Sequence, residues 1–196
     1  MKRCFDLVAA SAGIVLLAPL LAVIAVLVQC SSRGPVFYRG VRIGLYGRPF
    51  RIFKFRTMVA DAEQLGSTAT AHNDPRVTRI GRWLRIWKLD ELPQLFNVIK
   101  GEMSIVGPRP EVEEHVACYD QEEQLILTVR PGITDEASIH FRNLGELLDS
   151  DDPNALFIQK YRAEKNRLRV RYVQQQSFLG DLRLVFRSIF RVVVRR

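Results

Sequence analysis

Leu7 to Val28 reads LVAASAGIVLLAPLLAVIAVLV, a run with no charged and no strongly polar residue. At about 1.5 Å per residue, a helix over this run can cross a hydrocarbon core of roughly 30 Å, so the segment belongs in lipid. A cleaved signal peptide has the required basic start in Lys2 and Arg3. Its apolar run would be too long, however, and no small-x-small exit follows. A lipoprotein at Cys30 is set aside because Gln29 stands where a small residue is expected. Lys2 and Arg3 precede the run, and Arg33, Arg39, Arg42, Arg48, Arg51, Lys54 and Arg56 follow it, so both flanks carry the basic signature of a cytoplasmic side. Pro19, near the middle, removes a backbone donor and clashes with the preceding turn. Charge flanks and proline together favour a re-entrant helix over residues 1–33. A kinked helix that spans the membrane is the alternative.

The 196 residues suffice for one domain with a core of its own. Cys4, Cys30 and Cys118 are odd in number, scattered and without a C-x-x-C pair, which fits a reduced, cytosol-facing body over 34–196. A net charge of +8 and a pI near 9.8 call for an anionic partner or surface. Arginine supplies most of that charge, and its planar fork suits phosphate.

Val36 to Met58 alternates β-branched and aromatic residues with basic ones and is punctuated by Gly40, Gly44 and Gly47, the pattern of a short hairpin. Period 2 sets Phe53 and Phe55 on one face and Lys54 and Arg56 on the other. Ala60 to Asp74 reads as a short helix and a loop. Val77 to Leu89 has helical spacing and a basic side made by Arg76, Arg79, Arg82 and Arg85. Pro93 can sit in the first turn of the next helix. A helix is expected over Glu111 to Val129, a stop and restart over Asp149 to Asn154, and a basic helix over Phe157 to Val173. The C-terminal run, with Arg183, Arg187, Arg191 and Arg195 four residues apart, is a basic amphipathic helix suited to a membrane surface.

Asp90 and Glu91 follow the arginine-rich helix directly. Adjacent carboxylates can simply favour a helix start. In a chain with surplus arginine they also supply what phosphoryl transfer needs, a nucleophile and hard oxygen ligands beside cations for a diphosphate. No P-loop and no strand-coupled G-x-G-x-x-G occurs, and His72, His115 and His140 lack metal-ligand spacing.

KLDELPQLFNVIKGEMSIVGPRP (88–110), with FKFRTM (53–58), DPRVTRIGRWLR (74–85) and RPGIT (130–134), resembles the bacterial sugar transferases, the monotopic polyprenyl-phosphate phosphoglycosyl transferases. The resemblance runs through nearly the whole chain, whose length is that of the smallest members, built of the catalytic domain alone. It implies that Asp90 attacks the sugar-proximal phosphate of a UDP-sugar and releases UMP. Polyprenyl phosphate then takes the phosphosugar, the first membrane step of glycoconjugate biosynthesis. It further implies Mg²⁺ held at Asp90 and Glu91, and phosphate-binding roles for Lys54, Arg56, Arg85, Arg109, Arg130, Thr134 and Arg142. Ala18-Pro19 falls where many members carry Ser-Pro, so the membrane break persists without the hydroxyl. After RPGIT the chain reads DEASIHFRN in place of a Gly-, Leu-, Ala- and Gln-rich continuation.

The expected architecture is α+β and mainly helical: a re-entrant membrane helix, a short β-hairpin and amphipathic membrane-surface helices around a small catalytic core. Its place is the bacterial inner membrane, with the catalytic domain on the cytoplasmic face. UDP-sugar, polyprenyl phosphate and membrane lipid are the expected partners. A homodimer is left open and nucleic acid is not expected. A basic nucleic-acid-associated protein and a non-catalytic membrane scaffold are the competing readings.

Overall fold

The computed structural model of the chain describes residues 1–59, 62, 74–141 and 153–194. It is a mainly helical α+β fold. The first helix, α1 (Lys2–Ser31), runs through Pro19. Its early half packs Ala10 and Ile14 against Leu95, Val98 and Met103. The later half packs Leu21, Ile24, Ala25 and Val28 against Phe55 and Leu84. Its other face is exposed along its length, at Val8, Val15, Leu16, Val23 and Val26. Both ends of an apolar helix are thus seated on one body by one face while the opposite face stands clear.

Polar contacts pin those ends. Buried Asp6 accepts from Ser104 Oγ at 2.9 Å and from the Ile105 amide at 3.0 Å. Lys2 donates to the Val106 carbonyl at 2.9 Å and pairs with Asp181. At the far end Arg56 donates to the Ser32 carbonyl at 2.7 Å, so a cation meets the negative end of the helix.

The hairpin forms as two nested antiparallel pairs. Strands β1 (Phe37–Tyr38) and β4 (Lys54–Phe55) form the base, and β2 (Val41–Ile43) and β3 (Pro49–Arg51) the tip. Tyr46 (φ 55°) and Gly47 (φ 72°) reverse the chain there. The ladder breaks at Phe53, whose amide donates to Asn97 Oδ1 at 2.8 Å. Phe53 and Phe55 both meet Phe37, as period 2 requires.

Helix α2 (Arg79–Ile86) starts where the Thr78 hydroxyl accepts from the Gly81 amide at 2.9 Å. Gly81 lets α2 lie on the chain leaving β4: a Cβ there would come within 2.0 Å of the Thr57 carbonyl oxygen. Lys88, at φ 56°, ends the helical run, and Leu89–Glu91 make one tight 3₁₀ turn. Helix α3 (Gln94–Lys100) follows, with Pro93 at its N-cap rather than inside its first turn. Strand β5 (Ser104–Val106) then pairs in parallel with β6 (Gly132–Thr134).

The single helix expected over Glu111 to Val129 is not formed. The segment divides into α4 (Glu113–Val116) and a 3₁₀ stretch, Glu123–Thr128. The Glu123 amide donates to Asp120 Oδ1 at 2.8 Å and the Asp120 amide donates back to Glu123 Oε2 at 3.2 Å. That reciprocal capping restarts the chain at Asp120. After β6 come α5 (Glu136–His140), α6 (Pro153–Leu156), a π-helical turn at Phe157–Tyr161, α7 (Arg162–Gln175) and the C-terminal α8 (Phe178–Val193). Helix α8 leaves Leu179, Phe186, Ile189 and Phe190 exposed, which gives the apolar face read from its sequence. The expected helix and loop over residues 60–74 and the break over 149–154 lie largely outside the described residues, and Arg142 wholly so.

Candidate active site

The tight turn between α2 and α3 faces two adjacent carboxylates into a cleft of ≈ 990 Å³, lined by Phe37, Arg39, Lys54, Arg56, Arg85 and Lys88 among others. Asp90 is 6% exposed, and its Oδ1 is buried without a hydrogen-bond partner among the described residues. Burial, then the neighbouring charge of Glu91, pushes the Asp90 carboxyl above its ordinary range.

Glu91 lives in the opposite environment. Lys54 reaches its Oε1 at 3.2 Å, and Arg109 forks onto both oxygens, at 2.8 Å to Oε2. Burial opposes its charge, but Arg109 and Lys54 outweigh burial and hold this carboxyl well below the usual carboxylate range. Burial in turn lowers Lys54, with Glu91 opposing. The pair thus separates into a neutralised carboxylate and one with spare lone pairs.

Arg109 is placed by its loop. The Gly107 amide donates to the Thr134 carbonyl and the Gly132 amide to the Pro108 carbonyl, each at 3.0 Å. The Arg109 amide itself donates to Asp135 Oδ2 at 3.0 Å. A Cβ on Gly132 would sit 2.1 Å from the Gly107 nitrogen, so these two loops can touch only through glycine. Arg85 lines the cleft with its Nε donating to Thr57 Oγ1 at 2.9 Å.

The structure therefore gathers Asp90, Glu91, Lys54, Arg56, Arg85 and Arg109 at one place. Arg56 gives its Nη2 to the end of α1, while its Nε and Nη1 are buried without a hydrogen-bond partner among the described residues. Arg130 and Thr134 sit elsewhere: Arg130 Nε donates to the Gly101 carbonyl at 3.0 Å, and the Thr134 hydroxyl meets that of Ser188. Ala18 and Pro19 lie on α1 and are exposed. Arg39, Arg42 and Lys88 also line the cleft. The basic run of the hairpin was the signal in the sequence for Arg39 and Arg42, and Lys88 opens the motif at 88–110. Asp135, on which the Arg109 amide rests, is the departure that follows RPGIT.

Among the described residues no group of three or more His, Cys, Asp or Glu side chains could hold a metal by itself. The unpartnered Asp90 oxygen is still a hard donor next to a second carboxylate. That suits Mg²⁺, which takes one or two carboxylates and completes its shell with water and substrate phosphates.

The bacterial sugar transferase family model matches residues 1–195. The chain is 40% identical over its whole length to the undecaprenyl-phosphate glucose phosphotransferase of Komagataeibacter xylinus, but spans only 36% of that protein. It is 38% identical, again over its whole length, to the exopolysaccharide production protein ExoY of Rhizobium meliloti (strain 1021), covering 86% of it. With the UDP-glucose:undecaprenyl-phosphate glucose-1-phosphate transferase of Escherichia coli (strain K12) the identity is 36%, over all of this chain and 41% of the relative. A match of this extent, through the motifs that build the cleft, makes the chain a member of the bacterial sugar transferase family.

Proposed function

We propose that the chain moves a sugar phosphate from a UDP-sugar to a polyprenyl phosphate, with Asp90 as nucleophile. The observation that carries this reading is the asymmetry of the dyad: a buried Asp90 oxygen with no partner beside a Glu91 paired with Arg109 and Lys54. Asp90 attacks the sugar-proximal phosphorus, and the bond to the bridging oxygen breaks with its electron pair leaving on UMP. A phosphate oxygen of the lipid acceptor then attacks the same phosphorus and returns the Asp90 carboxylate. Dividing one displacement in two in this way is covalent catalysis. Arg85 and Lys54 are placed on the cleft wall to take phosphate charge, and Arg109 fixes Glu91 so that Asp90 is presented at one position. Mg²⁺ would be held by Asp90 and Glu91, and when bound it supplies neutralisation of the diphosphate charge.

The relatives whose names specify undecaprenyl-phosphate transfer support the substrate classes, and ExoY supports a role in exopolysaccharide synthesis. Among the described residues one helix is long and apolar enough to cross a membrane. Seating of both its ends on one body supports the re-entrant reading and a catalytic body on a single face, the cytoplasmic one by its basic flanks.

The test is UMP release from a panel of UDP-sugars with Mg²⁺ and undecaprenyl phosphate. Release by the wild type and none by Asp90→Asn supports the reading. Undiminished release by that variant overturns it.

A further inference from the structure

Four phenylalanines that the mechanism leaves unused form a file between the carboxylates and the lipid side of the protein. Phe37 lines the cleft, stacked on Phe55 at 5.4 Å between centroids. Phe53 meets Phe37 edge-on at 6.0 Å, and Phe96 of α3 meets Phe53 at 5.9 Å. Phe96 and its neighbour Ile99 are 37% and 40% exposed. Helix α3 packs on the apolar α1 through Leu95 and Val98, and it carries Phe96 and Ile99 exposed.

Two cations attend the middle of this file. The Arg39 guanidinium covers the Phe53 ring at 3.5 Å, and Lys100 Nζ stands 5.5 Å from the same ring. Arg39 also lines the cleft with Lys54 and Asp90, and its Nε is buried without a partner among the described residues. A run of touching rings that leads from the cleft to the exposed Phe96, with the unpartnered Nε of Arg39 at its inner end, fits one amphiphile: an isoprenoid chain with a terminal phosphate.

We propose that Phe37, Phe53 and Phe96 seat the first isoprene units of the lipid acceptor and that Arg39 receives its phosphate and directs it toward Asp90. This rests on the reading of the chain as a sugar-phosphate transferase, and it adds the path of the second substrate.

The two half-reactions separate the claims. In nanodiscs of phosphatidylcholine, the UDP-sugar that the wild type turns over gives a single-turnover burst of UMP without acceptor, and titration with undecaprenyl phosphate gives the acceptor KM. Phe96→Ala should raise the acceptor KM about tenfold while the burst rate stays at the wild-type value, and Arg39→Ala should raise the acceptor KM at least as far. Trp83→Ala, which trims an equally exposed ring on α2, should leave the acceptor KM unchanged. An unaltered KM in the first two variants overturns the proposal. So does a burst that slows in Phe96→Ala, which would give the rings to the nucleotide. An equal rise in Trp83→Ala also overturns it, because general seating in the membrane would then explain the effect. A wild type without a burst contradicts the covalent step at Asp90. Photo-cross-linking with a diazirine-bearing polyprenyl phosphate still decides the path in that case: adducts around Phe96 support it and adducts confined elsewhere overturn it.

Discussion

Two clusters of buried charge flank the loop from Gly107 to Pro110, and their carboxylates are treated differently. On one side Glu111 meets Arg169 at 2.8 Å, His115 at 3.3 Å and Lys165 at 3.8 Å. Asp135 accepts from the Arg109 and Ser138 amides at 3.0 and 2.6 Å, with Arg169 at 3.5 Å. Burial opposes the charge on Glu111, but Arg169 leads the groups that hold it far below the usual carboxylate range. On the cleft side Glu91 is treated the same way and Asp90 is not. A fold able to surround three carboxylates with donors leaves the fourth with an empty oxygen. The first arrangement stabilises. The second gives up stability for a group free to bond to phosphorus.

The comparison fails first at Asp90. Replacing it by Asn should lower UMP release by at least about a thousandfold, since the nucleophile and not merely a charge is lost. A loss below tenfold in single-turnover assays would put Asp90 on a level with the structural carboxylates.

Glu111→Gln should act on the opposite quantity. It takes the nearest carboxylate from Arg169, which is 1% exposed and keeps Asp135 and Asn166, and should cost about 1–3 kcal/mol of stability by chemical denaturation in detergent. An unchanged midpoint would show that the cluster does not hold the fold.

Asp90→Asn should instead stabilise, by on the order of 1–3 kcal/mol at neutral pH, because it removes a buried, unsatisfied anion. The sign follows from the raised Asp90 carboxyl. Its protonated form is fully tolerated below the ordinary carboxylate value of 3.8, and stability is lost as pH rises through the higher folded value. The gain in the variant should therefore shrink toward zero as pH falls to that ordinary value. A variant less stable than wild type at pH 7 would contradict this.

The smallest effect belongs to Lys165. Burial, then Arg169, lowers its ammonium from 10.5 to about 8. Between those values the unfolded chain holds a proton that the folded chain has released, so this group makes stability rise with pH. Lys165→Met should be flatter than wild type over that window in paired melting curves, and parallel curves would argue against the shift.

The sequence shows one cluster better than the other. Asp90 and Glu91 are adjacent, Arg109 is held between prolines, and α2 and α3 carry clear helical spacing, so the cleft could be sketched from neighbours in the chain. The Glu111 cluster joins residues from the Pro110 loop, α5 and α7, and no local pattern announces such a meeting. For the same reason the second Phe of F-x-F was visible as one face of a strand, whereas the contact of Phe53 with Phe96 was not. One helix was expected over residues 111–129, and Asp120-x-x-Glu123, a capping signature, was the signal that it breaks. Arg130 and Thr134 show how far a motif goes. It marks both residues, but their partners, Gly101 and Ser188, come from distant parts of the chain.

The central claim is that Asp90 becomes bonded to the substrate. Incubating the enzyme with UDP-sugar and Mg²⁺ without lipid acceptor, quenching in acid and mapping peptides by mass spectrometry tests it directly. The account expects one phosphosugar adduct on the peptide carrying Asp90, absent from Asp90→Asn. An adduct on Glu91 or any other side chain, or UMP formed at full rate with no adduct at any quench time, would contradict it.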